Sequence, residues 1–248
     1  MSFTNKTVLI TGGSKGIGRA ISLHLASQGA NVIINYASSA KDADDVVEQI
    51  GGERAVAIKA DAGDVGEIGR LVEEGMKWKP SGGKIDILVA CAGTMRLTEL
   101  NAVTEEDYDA TFNLNVRGSL FLAQKAAPYM QQGSRIILFS TTQAKATTVT
   151  GNYLTYCMSK GAVEQMTRVL SKDLARKGIT VNCVAPGPTA TDLFLLGKSE
   201  ALLQRLASLN PQNRFGRPGE IAEVVASLAG PGGAWVSGQV LYVNGGQA

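Results

Sequence analysis

The chain has 248 residues, 44% of them apolar, which is enough for one large α/β domain with a complete hydrophobic core. Its 24 basic and 22 acidic residues are interspersed, and a net charge of +2 with no Lys/Arg block argues against a nucleic-acid partner. Three scattered cysteines, Cys91, Cys157 and Cys183, with no CxxC and no histidine cluster, speak against a disulfide framework and against a metal site.

The opening residues, Met1 to Lys6, lack the charged-then-apolar order of a signal peptide, and no apolar run approaches the ~18–20 residues that span a bilayer. A soluble cytoplasmic protein is expected. Thr7-Val8-Leu9-Ile10 reads as a strand running into Thr11-Gly12-Gly13-Ser14-Lys15-Gly16-Ile17-Gly18, after which Ile17, Ala20, Ile21 and Leu25 recur at helical spacing. Strand, glycine turn and helix form the context in which a backbone approaches a pyrophosphate at a helix N-terminus. The spacing is GxxxGxG, and no Gly-Lys-Ser/Thr follows where a P-loop needs it. Gly12, Ser14, Lys15, Gly16, Ile17 and Gly18 are therefore the first candidates for dinucleotide contact. His24, the one histidine, lies beside Ile21 and Leu25 at a core edge, so Ser-His-Asp chemistry has no good base.

The second strand, Asn31 to Tyr36, ends where an NAD-selective fold places an acid on the ribose. Here the residues are Asn35, Tyr36, Ala37, Ser38 and Ser39. With no carboxylate to repel a 2′-phosphate, and with Lys15 and small hydroxyls nearby, NADP is favoured over NAD; the plainer reading is a polar loop that begins the helix from Lys41 to Ile50. Further units follow: a strand at Ala55 to Ile58, a helix from about Asp64 to Lys77, a turn at Pro80-Ser81-Gly82-Gly83, and a strand at Ile85 to Ala90. This alternation predicts a single doubly wound Rossmann-type α/β domain over 1–248, with a parallel sheet of about seven strands and helices on both faces. Ligands of such sheets bind beyond the carboxyl ends of the strands, where Asp61, Ala92 and Gly93 fall.

A long helix is expected from about Thr104, an N-cap with Glu105 and Glu106 behind it, to Met130. Asn113 and Asn115 inside it are poor helix formers, which suggests a buried hydrogen-bonding task for one of them. Arg135 to Phe139 is the fifth strand and ends in three hydroxyls, Ser140, Thr141 and Thr142. Tyr156 and Lys160 then stand four residues apart on a helix, with Cβ atoms roughly 5–6 Å apart on one face. A cation beside a phenol stabilises the phenolate and tunes it toward general acid–base work. A half-buried tyrosine near a solvated lysine is the bland alternative. Beyond lie a helix carrying Val163, Met166, Leu170 and Leu174, a strand from Ile179 to Val184, a helical pattern from Ser199 to Leu209, a helix of about Pro218 to Leu228 and a last strand from Gln239 to Val243.

Taken together, Thr11-Gly12-x-x-x-Gly16-x-Gly18, Asp61, Ala92-Gly93, Asn115-x-x-Gly118, Tyr156-x-x-x-Lys160, Pro186-Gly187 and Val243-Asn244-Gly245-Gly246 resemble the short-chain dehydrogenase/reductase family over nearly the whole chain. The resemblance implies that Tyr156 donates a proton to a substrate carbonyl, that Lys160 lowers its pKa and binds the nicotinamide ribose, and that Asn115 holds a water linking Lys160 to solvent. It implies that Pro186 and Gly187 face the nicotinamide, that Thr189 contacts its carboxamide or the pyrophosphate, and that residues from about 189 to 213 form a substrate lid. It also implies a homo-oligomer, a tetramer or dimer. Two features depart from the family pattern. Ala90-Cys91 stands where Asn-Asn or Asn-Ala is usual, and the usual serine thirteen residues before the tyrosine is replaced by Thr141, fifteen before, with Ser140 and Thr142 as alternatives. The expected function is NADPH-dependent reduction of a ketone or quinone-like carbonyl on an apolar small molecule. A 3-oxoacyl thioester reductase, an oxidatively working alcohol dehydrogenase and an inactive dinucleotide sensor are the alternatives.

Overall fold

Strands that are apolar along their whole length can be buried on both faces only if helices cover both sides of the sheet. The computed structural model, which describes residues 2–247, has this arrangement; Met1 and Ala248, the ends of the expected domain, lie outside the described residues. Strands β1 (Thr7–Thr11), β2 (Asn31–Tyr36), β3 (Ala55–Lys59), β4 (Ile87–Ala90), β5 (Arg135–Phe139), β6 (Thr180–Pro186) and β7 (Val240–Val243) form one sheet in the order 3-2-1-4-5-6-7. All six pairings are parallel. The strand order reverses between β1 and β4, paired from Val8↔Ile87 to Thr11↔Ala90, and the carboxyl ends of these two strands open a crevice there.

Alternation along the strands divides the core. Val8 and Ile10 of β1 meet Ile21 and Leu25 of helix α1 (Gly16–Ser27) and Ile221 and Val225 of a later helix (Pro218–Ala229) on one face. Leu9 and Ile33 face Leu71 of a helix over Val65–Lys77, Leu122 and Val163 on the other. The next two helices along the chain are α2 (Ala40–Ile50) and α3 (Val65–Lys77), capped by Ser39 and Asp64, whose side chains accept from Asp42 N and Glu67 N.

The expected long helix after Thr104 is present but is not uniform. It begins as α4 (Glu105–Phe112), capped by Thr104, and continues as α5 (Ser119–Ala126). Between them Asn113–Gly118 forms a π-helical turn. Such wider turns interrupt the α-helical ladder and are frequent at functional sites. A methyl group on Gly118 would collide with the carbonyl of Ala62, so this turn lies directly against the backbone after β3. Helix α6 (Leu154–Leu174) backs the sheet, and α7 (Asp192–Leu195), α8 (Glu200–Ser208) and α9 (Pro218–Ala229) complete the chain before β7. No helix among the described residues is long and apolar enough to cross a membrane.

Ile33 is fully buried in the centre of β2, in contact range of Gly75 on α3. Ile33→Ala should therefore cost about 2–5 kcal/mol, read as a lower urea midpoint with an unchanged denaturant slope.

Candidate active site

The glycine turn after β1 is shaped by backbone proximity. Gly12 and Gly16 have φ of +64° and +52°, a region in which L side chains are strained, and a methyl on Gly12 would stand 3.1 Å from the Cα of Ala92. A methyl on Gly18 would collide with the carbonyl of Gly12, so α1 can seat on the turn only with glycine there. The turn and the start of α1 thus form a cradle that side chains would fill, open to a phosphate at a helix N-terminus. These features fit a dinucleotide. Ser14 is buried in the turn, Ile17 half-buried, and Lys15 exposed.

At the end of β2, Ala37 and Ser38 are exposed and Tyr36 half-buried. Asn35 differs from its expected role as a direct cofactor contact. Its side chain is buried and bonded to the backbone: Oδ1 accepts from Gly12 N at 3.4 Å, and Nδ2 donates to the Ala60 carbonyl at 2.8 Å. It ties the glycine turn to the end of β3. Lys15 Nζ lies 2.9 Å from Asp42 Oδ2, and the hydrogen bond with Ser39, followed by the one with Lys15, holds the Asp42 carboxyl below its usual range. Asp61 is exposed beyond β3, where its Oδ1 accepts from Gly63 N at 2.8 Å.

At the end of β4, Thr11 Oγ1 accepts from Ala92 N at 3.2 Å and so ties β1 to β4. A methyl on Gly93 would come within 3.2 Å of Asn115 Oδ1 and 3.3 Å of Lys160 Nζ, which places these two side chains beside one glycine. Asn115 sits in the π turn and is fully buried. Its Oδ1 accepts from Thr94 N at 2.9 Å, while Nδ2 donates to Thr94 O at 3.0 Å and Ser159 Oγ at 2.9 Å. Both amide hydrogens are thereby committed, and the side chain clamps the loop after β4 to α6. The water-holding role implied for Asn115 cannot use those hydrogens.

Lys160 is 5% exposed, and its Nζ donates to the Phe139 carbonyl at 2.9 Å. Burial pulls the Lys160 pKa below its ordinary value. The expectation that Lys160 lowers the Tyr156 pKa is not met: burial dominates and pushes the phenol up to about 12, opposed only by the hydrogen bond with Thr141. The ammonium is instead directed to the end of β5.

The three hydroxyls after β5 point to different partners. Ser140 Oγ donates to Glu164 Oε1 at 2.8 Å, and Thr142 Oγ1 reaches Ala185 O at 3.5 Å. Thr141 is the one that acts on Tyr156, where its hydroxyl opposes the rise of the phenol pKa, and its Oγ1 accepts from Gln143 N at 3.3 Å. The sequence reading missed Glu164, although its position four residues after Lys160, on the same face of α6, was a usable signal.

Pro186 ends β6, and Gly187 N donates to Val243 O at 2.9 Å; a methyl on Gly187 would stand 2.8 Å from Asn244 Cβ. The segment that follows springs from a narrow base. Thr189 pairs with Gly216 as a parallel bridge, Ala190 N donates to Gly216 O and Gly216 N donates to Pro188 O, both at 2.9 Å. Thr189 Oγ1 is turned back onto Gly187 O at 2.9 Å. Thr191, next to the methyl position of Gly16, caps α7. On this segment Leu193 and Leu196 are 66% and 83% exposed, while Phe194 packs edge-on against Phe215.

Comparison with known proteins agrees with this geometry. A family model described as enoyl-(acyl carrier protein) reductase matches residues 12–248. The "Hydroxynaphthalene reductase-like protein Arp2" of Metarhizium robertsii is 42% identical over 99% of this chain and 96% of its own. An "NADPH-dependent aldehyde reductase-like protein, chloroplastic" of Arabidopsis thaliana is 35% identical over 99% of this chain and 95% of its own. A short-chain dehydrogenase of Burkholderia cenocepacia, solved "in complex with NADP", superposes with a TM-score of 0.93 at 36% identity, covering 100% of this chain and 99% of that one. The chain belongs to the short-chain dehydrogenase/reductase family. It is an oxidoreductase acting on CH–OH or carbonyl groups.

Gly18→Ala should force α1 off its turn. The expected result is loss of NADPH binding, read by quenching of intrinsic fluorescence, together with destabilisation of about 1–3 kcal/mol in urea.

Proposed function

We propose that the protein is an NADPH-dependent reductase that converts a ketone or quinone-like carbonyl on an apolar small molecule into an alcohol. The observation that carries this reading is the buried Thr141 hydroxyl acting on the Tyr156 phenol, one helical turn from the buried Lys160. Two relatives are named as reductases, one of them as NADPH-dependent, and a solved neighbour was crystallised with NADP. No carboxylate stands at residues 35–39, where an NAD-selective fold places one; Ser38, Ser39 and Lys15, itself paired with Asp42, lie there, and this supports the phosphorylated cofactor. The exposed Leu193 and Leu196 support an apolar substrate beneath a lid of about residues 189–213.

In this reading Gly12, Ser14, Lys15, Gly16, Ile17, Gly18, Tyr36, Ala37 and Ser38 hold the adenosine and phosphates, with Asp61, Ala92 and Gly93 along the adenosine side. Pro186, Gly187 and Thr189 hold the nicotinamide end. Bound NADPH supplies the hydride. Thr141 and Tyr156 take the carbonyl oxygen between two O–H donors, which stabilise the negative charge as it develops. Tyr156 then transfers its proton to that oxygen as general acid. Because burial keeps the phenol protonated through the neutral range, the acid is ready without prior proton uptake. Lys160 holds the cofactor ribose and keeps positive charge near the phenolate that remains. Asn115 keeps the loop after β4 and the helix of Tyr156 in fixed relation.

Absorbance at 340 nm with NADPH or NADH against ketones, quinones, aldehydes, 3-oxoacyl thioesters and enoyl thioesters tests the reading. The expected result is oxidation of NADPH by ketones or quinones, with NADH poorer. Tyr156→Phe should lose at least about 100-fold in kcat while binding NADPH normally. Near-normal turnover by that variant would remove Tyr156 from the chemistry, and tight NADPH binding with no turnover of any carbonyl would favour a sensor.

The raised Tyr156 pKa also fixes a pH dependence. Reduction needs the protonated phenol, so its rate should show no Tyr156 limb between about pH 6 and pH 9, whereas oxidation of the product alcohol, which needs the phenolate, should climb with pH across that range. A reduction rate falling through neutral pH with the loss of one proton, absent from Tyr156→Phe, would contradict this assignment.

A further inference from the structure

Glu164 has no part in the chemistry described above, yet it is the hub of a hydrogen-bond cluster directly behind the candidate site. Its Oε1 accepts from Ser140 Oγ at 2.8 Å, and its two carboxylate oxygens accept from Tyr242 Oη at 3.1 and 3.3 Å. These contacts join three elements: α6, which carries Tyr156 and Lys160; the end of β5, which carries the three hydroxyls; and β7, which carries Tyr242. Lys145, on the segment that follows the hydroxyls, lies 5.2 Å over the Tyr242 ring and closes the cluster from outside. Burial, followed by the neighbouring Glu164 carboxylate, pushes the Tyr242 phenol up to about 12, so it remains a hydrogen-bond donor at working pH.

We propose that Glu164 is a positioning residue that determines which hydroxyl after β5 faces the reacting carbonyl. The inference rests on the reading of Thr141 and Tyr156 given above. In extended backbone successive side chains point to opposite sides, so a restraint on Ser140 also fixes the direction of Thr141. Thr141 is extended, with φ −154° and ψ 149°. Glu164 lies about two turns further along α6 than Tyr156 and holds the Ser140 hydroxyl there; the backbone rotation this fixes leaves Thr141 beside Tyr156, in the first turn of the same helix. Without the carboxylate, the remaining acceptor for Ser140 is the Lys160 carbonyl at 3.4 Å, a weaker contact. The backbone of the 140–142 segment would then lose its fixed rotation, and the donor pair its spacing.

The test compares Glu164→Ala with Glu164→Gln, in the full chain with NADPH and the carbonyl turned over best in the panel. Since Ser140 and Tyr242 both reach Oε1, a single amide oxygen can serve both donors. Glu164→Ala is expected to lose roughly 10–100-fold in kcat, the scale of a small misplacement of a reacting group, with NADPH affinity changed less than about twofold. Glu164→Gln is expected to restore kcat to within about threefold of wild type by keeping the acceptor without the charge. In the Glu164→Ala background, Ser140→Ala should add almost nothing, because the hydroxyl no longer has the partner that made it matter.

Unchanged kcat in Glu164→Ala would overturn the proposal. So would a glutamine variant as impaired as alanine, which would assign the effect to charge, or a parallel loss of NADPH affinity, which would assign it to general damage. Should Glu164→Ala fail to fold, Ser140→Ala and Tyr242→Phe probe the same cluster from its donors, and full kcat in both would count against it. Thr141→Ala separates this inference from its parent. Full turnover there removes the hydroxyl that Glu164 is proposed to aim, whereas a crippled Thr141→Ala beside a fully active Glu164→Ala removes Glu164 alone.

Discussion

A buried ammonium group is costly unless its protons find acceptors and its surroundings are built to hold it. Lys160 is such a group, and several features otherwise unrelated in sequence meet its needs. Strand β5 ends so that the Phe139 carbonyl faces it. Position 93 is glycine, so the end of β4 can approach both Lys160 and Asn115. The π turn places Asn115 where its amide reaches Thr94 and Ser159, locking the loop after β4 to the helix that carries the lysine. A regular α-helix through 113–118 would space these groups differently. The unusual turn and the buried charge are thus two sides of one constraint.

Much of this was readable from residue order because a parallel sheet covered on both faces writes itself as repeated apolar runs. β2 and β5 fall where expected, and α2, α3 and α8 begin just after the hydroxyl or carboxylate side chains that cap them. The glycine turn was legible because only glycine fits at positions 12, 16 and 18. Side-chain direction at element ends was less legible. Asn35 at the end of a strand looks like a ligand contact, but its depth beneath the glycine turn commits it to backbone groups. Ser140, Thr141 and Thr142 are chemically equivalent in a string of letters and are separated by partners 24 and 43 residues away, and by Tyr156. The π turn announced itself only as two asparagines in a helical stretch.

Electrostatics was the part that spacing described least well. An i, i+4 lysine beside a tyrosine suggests a cation stabilising a phenolate, yet distance along a helix says nothing about depth. Both groups are withdrawn from water, and desolvation acts on each in the direction that favours its neutral form. Burial thus keeps the Tyr156 phenol protonated and a hydrogen-bond donor. Coupling to a cofactor ribose would act on top of that baseline.

The sheet grows in both directions from β1, and its last strand is also the one that reaches Glu164. β1, β2 and β3, with the glycine turn between the first two, come early in the sequence, whereas Tyr242 follows 183 residues after the end of β3 at Lys59. During synthesis, at about 5–20 residues per second, the edge with the glycine turn is available to form long before β7 can pair with β6. A chain stopped short of β7 would carry the glycine cradle, Tyr156 and Lys160, but Glu164 would lack its Tyr242 partner. Completion of the C-terminal strand is therefore built into the assembly of the cluster behind the hydroxyls, and an incomplete chain would differ from a finished one there rather than at the cradle.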